Sequence, residues 1–351
     1  MTTKTPIKRP LSPLPPAEAT PRTRPGLEGS ITHNLTPSSM RINNQLEQLP
    51  ESSFAQFNIE PEINGKETYQ LVCPLVLSQP SLTRVFLARA KESRREVVIK
   101  RFLEFEQERL EREKTIQKMS HRQGGHKYLL LADEFLDEQR IIISRYMKGG
   151  DLRQFQRRVG PLTPDQAKGT VHALLIALQF LHKHHITHRD VKSGNIILDT
   201  GDLVPEKITV NDLGLFQKVI PKLFDYETGW YPGIHEVPET IVGTPHYMAP
   251  EIVKGEKCDP RIDIYAAGVT LYQLLTGRFP FDAGENVTDP KEKDFQILEQ
   301  HAHAPIPKAT KINPNIGADL QHILETALAK DPEKRYQTAR EFRRDYFDAL
   351  R

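Results

Sequence analysis

The chain has 351 residues, of which 38% are hydrophobic and 27% are charged, and its formal net charge is +2. This length and apolar content predict one two-lobed domain or two domains with a sizeable core. The near-neutral charge argues against a general attraction to nucleic acid or to an anionic membrane, so neither is expected as a partner.

Residues 1–65 differ in composition from the rest of the chain. Nine of the 27 prolines lie in the first fifty positions, among Thr, Ser, Arg and Lys and with few aromatic residues. Such a segment buries too little apolar surface to offset the entropy of ordering, so a disordered Pro-rich tail is predicted. A run such as Pro10-Leu11-Ser12-Pro13 is typical of a ligand for a partner's groove. A solvated tail without a specific partner is the alternative.

From residue 66 onward the pattern predicts a folded region in which strands come first and helices later. Strands are predicted at 69–77, 84–90, 96–100, 128–135 and 140–146, with a helix at 104–119. A capping box of Thr163 and Gln166 predicts the start of a long helix. Pro164 takes the first helical position. Short strands follow at 196–198 and 207–210, and the chain beyond about residue 249 is mostly helical. This order predicts an α+β fold of two lobes with a cleft between them.

The strongest chemical signal is the run HRDVKSGN, from His188 to Asn195. Phosphoryl transfer needs an oriented hydroxyl, neutralised charge at the γ-phosphate and oxygen ligands for a metal ion. Asp190 is suited to accept the hydroxyl proton, and Lys192 is suited to reach the phosphoryl group. The Asn195 amide oxygen and the carboxylate of Asp212, seventeen residues later, are suited to hold Mg²⁺.

Lys100 ends a predicted buried strand. An isolated lysine at that place would be costly, so Lys100 requires anionic partners. The phosphates of ATP and a glutamate on the following helix are the natural ones. Glu113 is preferred, because apolar residues flank it three positions away on both sides of the helix. Glu111 is the alternative.

In this order, the motifs resemble those of the eukaryotic-type (Hanks-type) serine/threonine protein kinase family, in the style of its bacterial members. The likeness covers residues 66–351 and includes GTPHYMAPE (243–251) and DIYAAG (263–268). It implies a bilobal protein kinase fold. The small N-lobe (about 66–147) would hold an antiparallel sheet and helix C, and the larger C-lobe (about 148–351) would be mostly helical. It further implies that the protein transfers the γ-phosphate of ATP to Ser or Thr of a protein substrate, with Mg²⁺ or Mn²⁺ as the cofactor.

For the nucleotide, the resemblance implies that Ser144 is the gatekeeper, that residues 145–147 form the adenine-binding hinge, and that Asp151 meets the ribose. Val85, Val98 and Ile197 would sandwich the adenine ring, and plain core packing is the alternative for these three. The complete ATP-binding set is Ser78, Val85, Val98, Lys100, Ser144, Arg145, Tyr146, Met147, Asp151 and Ile197.

The resemblance also implies regulatory and structural roles. Thr240 would be the activating phosphothreonine, with Arg189 as its partner and an unmodified surface loop as the alternative. Thr244 is expected to bond with Asp190 and Lys192. The implied structural residues are Glu251, Asp263 and Arg335, with Arg335 pairing with Glu251.

The chain departs from the family at the loop that covers the phosphates. Residues 78–84 contain no glycine, and Pro80 lacks an amide donor, so weaker ATP binding is expected. This departure keeps a second hypothesis open, a pseudokinase acting as a scaffold or allosteric partner. The presence of the complete catalytic set favours an active enzyme. The interval from Asp212 to Glu251 is also long and includes Trp230.

The two cysteines, Cys73 and Cys258, are far apart and match neither a metal-ligand spacing nor a disulfide framework. The most apolar helical stretch, 173–181, is much shorter than the roughly 20 residues that span a bilayer. The N-terminus lacks the apolar core of a secretory signal. A cytoplasmic protein with free thiols is therefore expected.

Overall fold

The computed structural model describes residues 59–75, 84–200, 203–211 and 244–351, together with the backbone of short strands at Arg41–Ile42, Gln45–Leu46 and Gln217–Lys218. Most of the predicted tail therefore lies outside the described residues. The predicted phosphate loop with Ser78 and Pro80 also lies outside them. So does the segment 212–243 with Asp212 and Thr240, apart from the backbone of Gln217–Lys218.

The N-terminal lobe is a six-stranded antiparallel sheet with one helix. The sheet order is β1-β2-β3-β4-β6-β5. Its strands are β1 (Glu62–Asn64), β2 (Thr68–Pro74), β3 (Arg84–Ala90), β4 (Glu96–Arg101), β5 (Ala132–Leu136) and β6 (Ile141–Arg145). The helix α1 (Gln107–Arg122) follows a 3₁₀ turn at Glu104–Glu106. Strand β1 lies before residue 66, so the sheet starts slightly earlier than the predicted boundary.

Alternation along the strands separates a core face from a second face of the sheet. Phe86, Val97, Ile99 and Ile143 are fully buried on the core face. Their β-branched and aromatic side chains suit a packed, pleated surface. On the second face Leu87 and Ile142 are also buried, whereas Val85 and Val98 are only half-buried.

The predicted strand at 128–135 is wrong in its first half, since β5 begins only at Ala132. Residues 128–130 bond to the other lobe instead. Val210 N donates to Tyr128 O at 2.8 Å, and Leu130 N donates to Val210 O at 3.0 Å. The apolar run therefore joins the two lobes and does not extend the sheet.

The C-terminal lobe is built from helices. They are α2 (Leu152–Val159), α3 (Pro164–Lys183), α4 (Pro250–Val253), α5 (Arg261–Thr276), α6 (Pro290–His303), α7 (Ala318–Ala327) and α8 (Ala339–Asp348). The predicted capping box is confirmed, since Thr163 Oγ1 accepts from Gln166 N and Gln166 Oε1 accepts from Thr163 N. Every residue of α5 except Arg261 is buried, so α5 is the central helix of the lobe. The two-lobed α+β fold predicted from the sequence is confirmed.

Short strands hold the loop that carries the HRDVKSGN run. β8 (Ile186–Thr187) precedes this loop and β9 (Ile196–Leu198) follows it. β9 pairs on one side with β7 (Gly150–Asp151) and on the other with β10 (Ile208–Val210). The loop is thus fixed at both ends. No helix in the described parts of the chain is both long enough and apolar enough to cross a membrane.

Candidate active site

Lys100 on β4 and Glu113 on α1 form a largely buried ion pair. Lys100 Nζ lies 2.7 Å from Glu113 Oε2, and the Glu113 side chain is 3% exposed. The alternative partner, Glu111, instead accepts from Lys114 Nζ at 2.8 Å and from Gln107 Nε2 at 3.2 Å. The geometry therefore selects Glu113, and the pair ties the helix to the sheet.

Gln117, one turn after Glu113, is buried although it is polar. Its Nε2 donates to Leu130 O at 3.2 Å, and its Oε1 accepts from Ala132 N at 2.8 Å. Both ends of the amide are satisfied by backbone, which removes the cost of burying a polar group. The side chain anchors α1 to the segment that enters β5.

The loop between β8 and β9, which carries the predicted catalytic residues and is called the catalytic loop below, brings four predicted residues together. Lys192 Nζ lies 2.9 Å from Asp190 Oδ1 and 2.7 Å from Oδ2, and it donates to Thr244 Oγ1 at 3.1 Å. Asn195 Nδ2 donates to the Asp190 backbone oxygen and to its Oδ2, both at 2.8 Å. The buried Asp190 carboxylate is thus held in one orientation by an ammonium and an amide. The expected contact of Thr244 with Lys192 is present, whereas within the described residues no hydrogen bond joins Thr244 to Asp190.

Within the described residues, the recorded side-chain hydrogen bonds of Asn195 all use its amide nitrogen. The amide oxygen is therefore left for another donor or for a cation. A carbonyl oxygen of this kind is a ligand that Mg²⁺ prefers. The second predicted ligand, Asp212, lies outside the described residues.

The backbone before Asp190 is held by Asp263, which lies near the start of α5. Asp263 Oδ2 accepts from His188 N at 2.7 Å, and Oδ1 accepts from Arg189 N at 2.9 Å. Arg189 has φ 68°, a conformation that is unfavourable for a residue with a side chain. The two hydrogen bonds compensate for that strain, so Asp263 shapes the turn into the catalytic loop.

His182, in the last turn of α3, is a partner of Asp263 that the sequence analysis missed. Its Nε2 lies 2.9 Å from Asp263 Oδ2. Full burial acts to raise the pKa of Asp263, but hydrogen bonds and positive charge from His182 and His188 outweigh it and lower the pKa. The carboxylate consequently stays ionised. Nothing in the spacing of 81 residues between His182 and Asp263 signals the contact.

A second missed feature links the catalytic loop to the segment before α4. The Ser193 hydroxyl donates to Tyr247 OH at 2.9 Å, and Tyr247 OH donates to Gln273 Oε1 at 2.8 Å. Burial raises the pKa of Tyr247, so the phenol remains a neutral donor. Ser193 lies in the HRDVKSGN run and Tyr247 in the GTPHYMAPE run. Their positions in these motifs are the signal that could have identified them.

The second face of the N-lobe sheet carries four of the predicted nucleotide residues. Val85 is opposite Lys100, and Val98 is opposite Ser144. Directly opposed residues share a face of the sheet. Val98 and Lys100 are two positions apart on one strand, so all four side chains lie on the same face. The two apolar members, Val85 and Val98, are partly exposed.

The other predicted nucleotide residues that the structure describes lie where the lobes join. Arg145 ends β6 and is exposed, Tyr146 is half-buried, and Met147 is buried. Asp151 pairs with Ile197 across β7 and β9. The Asp151 carboxylate also accepts from Gln154 N and Nε2, both at 2.8 Å, so it caps α2. The predicted structural pair, Glu251 and Arg335, is in contact in the C-lobe.

A family model described as the protein kinase domain matches residues 78–347. The chain is similar to the serine/threonine-protein kinase PrkC of Bacillus subtilis, with 31% identity over 218 residues, which are 61% of this chain and 30% of that protein. It is also similar to the serine/threonine-protein kinase PknB of Mycobacterium leprae, with 34% identity over 205 residues, which are 58% of this chain and 29% of that protein. The matched region is thus about 30% of the length of these curated relatives.

Proposed function

The chain belongs to the protein kinase domain family, and we propose that it transfers the γ-phosphate of ATP to serine or threonine of a protein substrate. One observation carries the proposal. The Asp190 carboxylate, the Lys192 ammonium, the Asn195 amide and the Thr244 hydroxyl form one hydrogen-bonded cluster. Phosphoryl transfer depends on positioning and charge neutralisation more than on covalent chemistry, and this cluster supplies both.

Asp190 orients the substrate hydroxyl and accepts its proton as the oxygen attacks the γ-phosphorus. The bond between that phosphorus and the bridging oxygen breaks, and ADP leaves with the electron pair. Lys192 contacts both carboxylate oxygens of Asp190, so its charge lies where the transferring phosphoryl group carries negative charge. The shared contact with Thr244 Oγ1 holds Lys192 in place.

Mg²⁺, or Mn²⁺, is proposed to be held by the Asn195 amide oxygen and the Asp212 carboxylate. Asn195 fits this role because its nitrogen is committed to Asp190. When bound, the metal neutralises charge on the phosphates. Lys100, fixed by Glu113, is proposed to pair with the phosphates from the opposite lobe.

Adenine is proposed to lie against Val85, Val98 and Ile197, with Ser144 as gatekeeper and residues 145–147 as the hinge. The exposed apolar surface on one face of the sheet supports this placement. Asp151 would accept from the ribose hydroxyls, and Ser78 would lie over the phosphates. Hydrogen bonds to Gln154 orient Asp151 but leave acceptor capacity on its carboxylate.

Phosphorylation of Thr240 is proposed to activate the enzyme, with Arg189 as the partner of the phosphate. Burial lowers the pKa of Arg189, the negative charge of Asp263 opposes this change, and the positive charge of Arg112 on α1 adds to it. Two neighbouring cations favour a dianion between them. A cytoplasmic site of action, where ATP is supplied, and a groove-type partner for the tail complete the proposal. Neither the comparisons nor the contacts of the described residues support the alternative of an inactive pseudokinase, which rests on the glycine-free loop alone.

The test replaces Asp190 by Asn and measures transfer of radiolabel from ATP to a generic protein substrate and to the chain itself. Transfer should be lost, while nucleotide binding should remain close to that of the wild type. Asp319→Asn, at an exposed position of α7, is the matched control. Wild-type transfer by the Asp190 variant would refute the role of this residue. Mass spectrometry after incubation with Mg²⁺ and ATP would show whether Ser or Thr is modified and whether Thr240 is among the sites.

A further inference from the structure

Arg153 lies against the catalytic loop. A Cβ placed on Gly194 would be 3.8 Å from Arg153 Cζ and 3.9 Å from its Nε and Nη2. Gly194 directly precedes Asn195, whose amide bonds to the Asp190 carboxylate. An extended peptide advances about 3.3 Å per residue. A substrate whose hydroxyl reaches Asp190 therefore passes the Arg153 guanidinium within about three residues of the acceptor.

A second observation places the same guanidinium near the segment before α4. Burial raises the pKa of Tyr247, and the positive charge of Arg153 opposes that rise. Tyr247 OH is hydrogen-bonded to Ser193, which is adjacent to Gly194. Arg153 thus lies where α2, the catalytic loop and the start of the 244–251 segment approach one another.

The charge of Arg153 is not neutralised by the protein residues that the structure describes. Its side chain is exposed, and no hydrogen bond or ion pair of Arg153 is found within those ranges. Helix α2 contains no acidic residue, whereas Arg157 and Arg158 add two more cations. The preceding carboxylate, Asp151, is bonded to Gln154. A solvent-facing guanidinium beside a reaction site attracts anions.

Gly194 leaves the guanidinium of Arg153 uncovered on the side of the loop. A side chain at position 194 would be in van der Waals contact with the guanidinium, with its Cβ 3.8 Å from Arg153 Cζ, whereas glycine covers none of it. A carboxylate of the substrate can therefore approach the guanidinium beside the loop. A carboxylate matches the planar guanidinium fork with two parallel hydrogen bonds, which a lysine ammonium could not provide.

We propose that Arg153 selects protein substrates that carry an aspartate or glutamate within about three residues of the phosphorylated Ser or Thr. This proposal rests on the proposed kinase function. The interaction is partly solvated, so a preference of about threefold to tenfold in kcat/KM is expected for the acidic substrate. Most of the preference should appear in KM, because a charged contact outside the reacting atoms stabilises ground and transition states alike.

The experiment uses a peptide series with one Ser acceptor and either Glu, Ala or Lys at each of the three positions on either side. The wild-type protein should favour Glu over Ala, and Ala over Lys, at one or more positions. Arg153→Glu should reverse this order at the same positions, and Arg153→Ala should abolish the difference. Arg340→Glu makes the same charge change at an exposed position of α8 and should keep the wild-type order.

The outcomes separate this proposal from the one on which it rests. If the wild type phosphorylates all peptides equally, or if Arg153→Glu keeps the wild-type order, the role of Arg153 is refuted while the kinase function stands. If the wild type transfers phosphate to no peptide and to no protein, both are refuted. Autophosphorylation and urea unfolding of the Arg153 variants distinguish altered selection from loss of the fold.

Discussion

Arg335 and Glu251, 84 residues apart in the sequence, form a bidentate ion pair inside the helical lobe. Arg335 Nη1 and Nη2 donate to Glu251 Oε1 and Oε2, both at 2.6 Å. Arg335 Nε also donates to Ala329 O at 2.7 Å. Because both charges are buried, they depend on each other for compensation. The pair joins the start of α4 to the loop before α8.

Replacing Arg335 by Met should therefore destabilise the protein by about 3–5 kcal/mol, since it leaves the Glu251 carboxylate buried without a partner. The measurement is the free energy of unfolding in urea. Arg344→Met is the control, because Arg344 is exposed and pairs with Asp345 at the surface, where about 1 kcal/mol or less is expected. A loss from Arg335→Met no larger than that of the control would contradict the mutual dependence of the two charges.

Gly268 allows α5 to approach α7 closely. A Cβ at this position would lie 2.8 Å from Ala327 Cβ, which is shorter than a normal contact. Gly268→Ala should destabilise the fold by about 1–3 kcal/mol through overpacking, although the same change stabilises an unpacked helix. The shift in the midpoint of urea unfolding gives both the sign and the size of the change in stability. Gly284→Ala, where the added Cβ would make only ordinary contacts and the nearest atom is Val287 Cγ2 at 3.7 Å, should be near neutral.

The ion pair of Lys100 and Glu113 should matter for activity more than for stability. Glu113→Gln removes the charge that fixes Lys100, so kcat/KM for a peptide substrate should fall by at least about tenfold. The control is Glu111→Gln, whose partner is Lys114 on the same helix. Equal losses in the two variants would show that the charge of the helix, and not the pairing with Lys100, controls the rate.

Local sequence signals predicted the fold well where they depend on neighbouring residues. The capping box of Thr163 and Gln166 and the strand at Ile196–Leu198 are both confirmed. Periodicity also favoured Glu113 over Glu111 as the partner of Lys100, and the ion pair is present. The capping box and the strand follow from contacts between near neighbours, and the choice of Glu113 follows from the apolar residues on its own helix face.

Contacts between distant residues were predictable only where a family motif implied them, as for Arg335 with Glu251, and the others were missed. The run at 128–135 has the apolar content of a strand, but its first half bonds to Val210 in the other lobe. The hydrogen bond between His182 and Asp263 requires knowledge of how α3 packs against α5. Arg153 likewise has no signal in the sequence, because its place beside Gly194 arises only when α2 packs on the loop.

His301 on α6 predicts how the fold responds to acid. Its side chain is fully buried, and its Nδ1 lies 2.8 Å from Tyr265 OH. Burial, aided by the positive charge of Lys330, lowers the pKa of His301 to about 3 from an ordinary value of 6.5. At a pH between these two pKa values, His301 therefore binds a proton in the unfolded chain but not in the folded protein. The stability that His301 contributes is complete above pH 6.5 and is lost as the pH falls toward 3.

Between pH 6.5 and pH 5 this loss should be about 2 kcal/mol, and His301→Gln should remove it from the pH profile of urea unfolding. The other titrating groups are common to both proteins, so the difference between their profiles isolates His301. His303→Gln, at an exposed position two residues further along α6, should keep the wild-type slope. Parallel profiles for the wild type and His301→Gln would mean that the buried imidazole takes up its proton without disturbing the contact between α5 and α6.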